Sequence, residues 1–240
     1  MSYPTRFGTP EATQRNLAPI TEALSSVLDG AGISAGEASS GSGQVSQPDA
    51  SLGAHTGILA GLMVDRTIDE ALDSERTGGR LQNVRNGLEL DIGSEQAWER
   101  WEGEVRRAAS GGLGGTDPQE ALFEGLIMVN VVHCCPVEYP ENVFRHLSPS
   151  ATKSDTAPLL DPSNGWIAIY SPFRADDGSY KSEADEKFDK GYIKAGSDLL
   201  GLRTVPCLTQ MAERWGFGLV ERRDMPAGNL FLVYRPMSKG

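Results

Sequence analysis

The sequence predicts an α/β fold built on a mostly parallel sheet with one reversed strand. Three observations carry that prediction. Glu124–Val132 (EGLIMVNVV) is apolar on both faces and β-branched at its end, the pattern of a central parallel strand covered by helices, and Trp166–Phe173 (WIAIYSPF) repeats it. Strand-like runs alternate with stretches of helical spacing along the chain. Near the C-terminus the alternation stops: Phe217–Arg222 and Leu230–Arg235 follow one another across the turn-forming Met225-Pro-Ala-Gly-Asn229, which reads as an antiparallel closure.

Taken in order, the elements begin with a helix over residues 10–28, where Leu17, Ile20, Leu24, Val27 and Leu28 recur at steps of three and four and Asp29-Gly30 stops the run. Ile33–Val45 (ISAGEASSGSGQV) is a strand-like piece running into a Gly/Ser loop. Gly57–Asp65 (GILAGLMVD) and Gly87–Ile92 (GLELDI) are short apolar runs that look like further strands, and Val205–Trp215 has helical spacing. The Gly-, Ser- and Pro-containing segments near 108–119 and 148–164 read as surface insertions, since each interrupts one continuous sheet. One domain over residues 1–240, with an N-terminal helical segment over about 1–30, is the expected organisation, because 240 residues can bury a single sizeable core.

Composition narrows the partners. Against 33 acidic residues stand 22 basic ones, for a net charge of -11, and no Lys/Arg-rich stripe is present to neutralise a phosphate backbone, so nucleic acid and anionic membrane are not expected partners. Cys134, Cys135 and Cys207 are odd in number and lack the paired spacing of a zinc or redox motif, which fits a reduced, cytoplasmic setting with no structural metal. The polar, Pro-containing first 30 residues and the lack of any apolar run near ~20 residues predict neither a signal peptide nor a membrane span.

Several residues could carry chemistry. In the loop Glu37-Ala-Ser-Ser40-Gly41-Ser-Gly43, glycines would let backbone amides approach a ligand where a side chain would block it, although such a loop also serves as a plain turn. Asp65 ends the next strand, near the ~20-residue offset at which an acid reaches a ribose hydroxyl pair. Asp91 suits hydrogen bonding around an adenine, or a helix cap. Asn130 and His133 fall at the carboxyl end of a central strand, where open α/β sheets bind ligands. His133 could act as a general base or be tied to a neighbouring backbone group. Tyr170 ends the next strand and either lines the same cleft or belongs to the core. Cys134 and Cys135 read as small buried hydrophobes.

These motifs, in this order, resemble an uncharacterised family of S-adenosylmethionine (SAM)-dependent methyltransferase-like proteins, the one that includes methyltransferase-like protein 26 of animals. The resemblance spans nearly the whole chain: Arg6-Phe7 with Arg15-Asn16, the loop from Glu37 to Gln44, Asn83-Val84 before Leu90-Asp91, Asn130-Val-Val-His133, Tyr170-Ser-Pro-Phe173, Phe188-Asp189, Gly201-Leu-Arg203 and Met225-Pro-Ala-Gly-Asn229. It implies a class I methyltransferase (Rossmann-like) fold, a seven-stranded mostly parallel sheet with one antiparallel strand near the C-terminus. It also implies a SAM pocket formed by Glu37, Ser40, Gly41 and Gly43, with Asp65 on the ribose, Asp91 and Asn130 nearby, and Arg6 and Asn16 near the methionine end. His133 and Tyr170 are then the candidate catalytic residues, and a small molecule the substrate, as in secondary metabolism. The chain departs from the family after Gln44, where Pro48 and Gly53 disfavour the helix that usually follows the loop. That departure motivates a second reading: the same scaffold turned to cyclisation of a reactive intermediate, as a pericyclase does, or to ligand binding without turnover.

Overall fold

The computed structural model describes residues 10–30, 58–61, 88, 90–110, 123–150, 158–195 and 197–237. Its elements are α1 (Pro10–Gly30), β1 (Ile58–Gly61), α2 (Glu95–Ser110), β2 (Gly125–Val129), α3 (Glu138–Leu147), β3 (Trp166–Pro172), α4 (Glu183–Phe188) continuing as a π-helical turn (Asp189–Ile193), α5 (Val205–Arg214), β4 (Phe217–Asp224) and β5 (Asn229–Pro236). The strands form one sheet in the order β1-β2-β3-β5-β4. The β1–β2 and β2–β3 pairs are parallel, whereas β5 runs antiparallel to both β3 and β4. Four strands therefore share one direction and β5 alone is reversed, as the consecutive C-terminal runs predict.

Five strands are present among the described residues, where seven were expected. The Ile33–Val45 piece lies outside the described residues. Leu90–Ile92 is a correction: it is not a strand, because the Asp91 carboxylate accepts the Gly93 amide at 2.9 Å and the Asp91 carbonyl accepts the Ser94 amide at 3.0 Å. Those bonds turn the chain straight into α2, whose first turn Ser94 supports by accepting the Ala97 amide.

The sheet is covered on both faces. Successive strand residues alternate sides, so Leu126, Met128, Ile167, Ile169, Leu230, Leu232 and Tyr234 face Trp98 and Trp101 of α2, Phe144 and Leu147 of α3, and Leu208 and Met211 of α5. Ile127, Trp166, Ala168, Tyr170, Phe231 and Val233 face the other way, where α1 packs through Ala23 and Val27 with Ile20, Leu24 and Leu28 at the margin. The helical stripe predicted over residues 10–28 thus becomes the cover of one sheet face. Within the 148–164 segment, Leu159 and Leu160 are buried and Leu160 bridges Phe123 in parallel. Thr204 caps α5 by accepting the Cys207 amide, with Pro206 in the first turn, where its missing N–H costs nothing.

Gly125 stands in register with Trp166, and a Cβ there would run into the fully buried indole. Gly125→Ala is expected to destabilise the fold by ~1–3 kcal/mol through overpacking. A urea midpoint unchanged from the parent protein would contradict that account.

Candidate functional site

The carboxyl ends of β2 and β3, together with the amino end of the reversed β5, form one edge of the sheet. Asn130 leaves β2 with φ of 57°, a left-handed conformation that turns the chain sharply, while its amide extends the ladder by donating to the Tyr170 carbonyl at 2.8 Å. Beside it, Asn229 begins β5 opposite Pro172 and donates its side-chain amide to the Pro226 carbonyl.

Tyr170 and Ser171 are consecutive strand residues and point to opposite faces. Tyr170 lies on the α1 side, 1% exposed, and its hydroxyl is buried with no hydrogen-bond partner among the described residues. Burial raises the pKa of that hydroxyl, and the charge of Arg15 on α1 opposes the rise, which places the α1 cation close by. Next to it in α1, half-buried Asn16 accepts a weak 3.4 Å bond from Arg15 Nε. Ser171 points to the other face, where its hydroxyl and His133 Nδ1 are 2.8 Å apart. The sheet therefore separates the two candidate catalytic residues: Tyr170 lies on the α1 side, which carries Asn16, and His133 with Ser171 on the other, while Asn130 sits at the end of β2 between them. Asp91, exposed and engaged with Gly93, sits at the start of α2. Arg6, Glu37, Ser40, Gly41, Gly43 and Asp65 lie outside the described residues.

Around His133 the side chains are held tightly. Burial lowers its pKa to about 4, Arg203 pushes in the same direction, and Asp189 opposes them. The ring is neutral at pH 7. Cys134 and Cys135 are buried beside it, and burial raises both thiols to about 12, so neither is a thiolate nucleophile at neutral pH. Asp189 opens the π-helical turn and is fully buried. Its carboxylate accepts Arg174 Nη2, the Tyr180 hydroxyl and the Leu202 amide, each at 2.7 Å, with Lys194 Nζ at 3.6 Å. Burial alone would raise its pKa, but these donors outweigh that and hold it below the usual carboxylate range. Arg203 spans the neighbouring loops by donating to the carbonyls of Cys135 and Leu199.

Sequence reasoning missed the role of Asp189, Arg174 and Arg203. Asp189 sits in a run of charge, EADEKFDK, in which nothing marks one acid as the buried one. Only its pairing with Phe188 in the family resemblance singles the position out.

A family model for "Protein of unknown function (DUF938)" matches residues 8–236. The chain belongs to that family. Among solved structures, the chain is similar to a LepI variant in complex with SAH and substrate analogue, at 16% identity and a TM-score of 0.48, over 97% of this chain and 50% of that one. An O-methyltransferase family protein from Burkholderia thailandensis aligns at 16% identity and a TM-score of 0.45, over 77% of this chain and 45% of that one. A protein described as a pericyclic reaction enzyme aligns at 13% identity and 0.43, over 79% and 45%. The DUF938 chain spans about half the length of these proteins.

The buried imidazole sets a pH dependence. An unfolded histidine binds its proton near pH 6.5 and the folded one only near 4, so between those values the unfolded state binds more protons and stability falls as the pH falls. The loss is expected to reach roughly 3 kcal/mol by pH 4. Asp189, whose folded pKa is depressed, adds a loss of the same sign at still lower pH. Urea unfolding at pH 7 and pH 4.5 measures the slope, and His133→Gln should flatten it; an equal slope in the variant would refute the assignment.

Proposed function

We propose that this DUF938 chain is a methyltransferase-fold protein that binds SAM and acts on a small molecule. The ordered motifs support the reading, and one structural observation carries it: at the carboxyl edge of the sheet, where open α/β sheets bind ligands, Tyr170 presents a buried hydroxyl that no group among the described residues satisfies. An unsatisfied buried hydroxyl costs about 1–3 kcal/mol, which a polar ligand atom would recover. This fits a cofactor with polar groups along its length.

Asn16 and Arg6 would hold the methionine end, Glu37, Ser40, Gly41 and Gly43 the nucleoside, Asp65 the ribose, and Asp91 and Asn130 the region of the adenine. SAM, when bound, supplies an electrophilic methyl group. What the protein contributes is alignment of the acceptor and exclusion of water. On the far side of the edge, neutral His133, oriented by Ser171, can accept a proton from an acceptor hydroxyl.

One observation favours the second reading. A histidine held to a pKa of about 4 is a weak base at neutral pH, which suits a cleft that cyclises or binds its ligand without deprotonating it.

The test is a thermal-shift titration. A ligand that binds only the native state raises its apparent stability, and at a hundredfold excess over Kd the expected rise in Tm is about 5–10 °C for SAM or S-adenosylhomocysteine, reduced in Tyr170→Phe. Absence of any shift with either compound at millimolar concentration overturns the cofactor assignment. Transfer of labelled methyl to a product separates methyl transfer from the second reading.

A further inference from the structure

Two groups on the α1 side of the sheet edge lack a matching partner among the described residues. Tyr170 is 1% exposed, and its hydroxyl makes no hydrogen bond there. A phenylalanine would fill the same space without the cost of desolvating a hydroxyl. Arg15, exposed near the start of α1, makes one weak contact, from Nε to the Asn16 side-chain oxygen at 3.4 Å. With 33 acidic residues to 22 basic ones, carboxylates are in excess, yet none among the described residues closes on this guanidinium.

The fold brings the two groups to one place. Ala23 and Val27 of α1 pack in the cluster that holds Tyr170, Phe231 and Met225. Ser26 accepts a weak 3.5 Å bond from Arg223 on β4, and Arg223, Phe231 and Tyr170 stand in one row across the sheet. The later turns of α1 are thus held over β4 and β5, and its earlier turns run on toward β3, where the Arg15 charge acts on the Tyr170 hydroxyl. The backbone is unusual at the same edge. Asn130 and Ala227, with φ of 57° and 61°, are the two non-glycine residues in left-handed conformation among the described residues. One ends β2 beside Tyr170, and the other lies in the turn before β5, against which α1 packs. Sparsely populated backbone of this kind clusters at ligand sites, where the surrounding structure over-determines it.

The donors select the ligand. A guanidinium engaged at Nε presents its two terminal nitrogens as a planar fork, which matches a carboxylate in shape and charge. The Tyr170 hydroxyl adds a donor in a dry setting, where a hydrogen bond to an anion is strengthened. We propose that Arg15 and Tyr170 form a binding site for the carboxylate of a small molecule, with Asn16 orienting the guanidinium. The proposal deepens the methyltransferase-fold reading and rests on it for the ligand's identity: the carboxylate belongs to the amino-acid end of SAM or to the second small molecule.

Calorimetric titrations of the full chain at constant ionic strength distinguish these sources. S-adenosylhomocysteine is compared with its carboxamide, and benzoate with benzamide, so that each pair differs in the anion alone. A cofactor carboxylate predicts that S-adenosylhomocysteine binds about tenfold more tightly than its carboxamide, and that Arg15→Gln removes this advantage while leaving the carboxamide within about twofold. A carboxylate of the second molecule predicts saturable binding of benzoate but not of benzamide, lost in Arg15→Gln. Arg15 is exposed, so the variant should keep the parent's thermal midpoint. Tyr170→Phe should weaken the preferred carboxylate and raise the midpoint of the ligand-free protein, because it removes an unsatisfied hydroxyl. No preference for the carboxylate in either pair, a preference that survives Arg15→Gln, or a lowered midpoint in Tyr170→Phe overturns the proposal. Equal binding of S-adenosylhomocysteine and its carboxamide, with benzoate unbound, sinks the carboxylate site and leaves the cofactor reading standing; benzoate binding without S-adenosylhomocysteine binding does the reverse.

Discussion

Burial of β3 on both faces is the constraint from which the remaining structure follows. Trp166, Ile167, Ala168 and Ile169 are fully inaccessible, and the strand pairs in parallel with β2 on one side and antiparallel with β5 on the other. A strand in that position needs apolar residues at every position and a helical layer above and below. It therefore dictates that α1 cover one face while α2, α3 and α5 cover the other. It also fixes the edge at which the polar residues emerge, because the ladder has to end where the apolar run does.

From that edge two environments diverge. The alternation of a strand sends Tyr170 toward α1 and Ser171 toward the opposite layer, so one residue step separates a hydroxyl near Arg15, without a partner among the described residues, from a histidine–serine pair against the Phe188 ring. A single cleft that pooled all the polar groups would require side chains to cross the plane of the sheet.

On the His133 side, a buried ion cluster organises the surroundings. Removing a carboxylate from water is costly, and it is tolerated where several donors converge on it. Asp189 has three at 2.7 Å, drawn from the segment after β3, from Tyr180 and from the loop before α5. By joining those segments it fixes the orientation of the short α4 and its π-helical turn, an element of too few residues to hold its shape by helical hydrogen bonding alone. Arg203 performs a similar service one layer down, tying the Cys135 and Leu199 carbonyls.

By itself the sequence determined the α/β class, the helices α1 and α5, the strands β2 and β3 and the reversed strand near the C-terminus, but not the helices α2, α3 and α4. The apolar runs at β2 and β3, the stripe along α1 and the C-terminal strand pair with its Met225–Asn229 turn are local patterns whose periodicity follows from element geometry. The same patterns put Asn130, His133 and Tyr170 at the carboxyl edge. What periodicity could not convey was which short apolar run bends into a turn, as Leu90–Ile92 does through the Asp91 bonds, since a two-residue side-chain bond outweighs so weak a strand pattern. Nor could it show that His133 and Tyr170 face opposite ways, or that one acid in EADEKFDK is buried. Those facts were decided by tertiary structure, because burial and pairing depend on residues from distant segments meeting, and no local spacing encodes which of several equal charges will find the arginine.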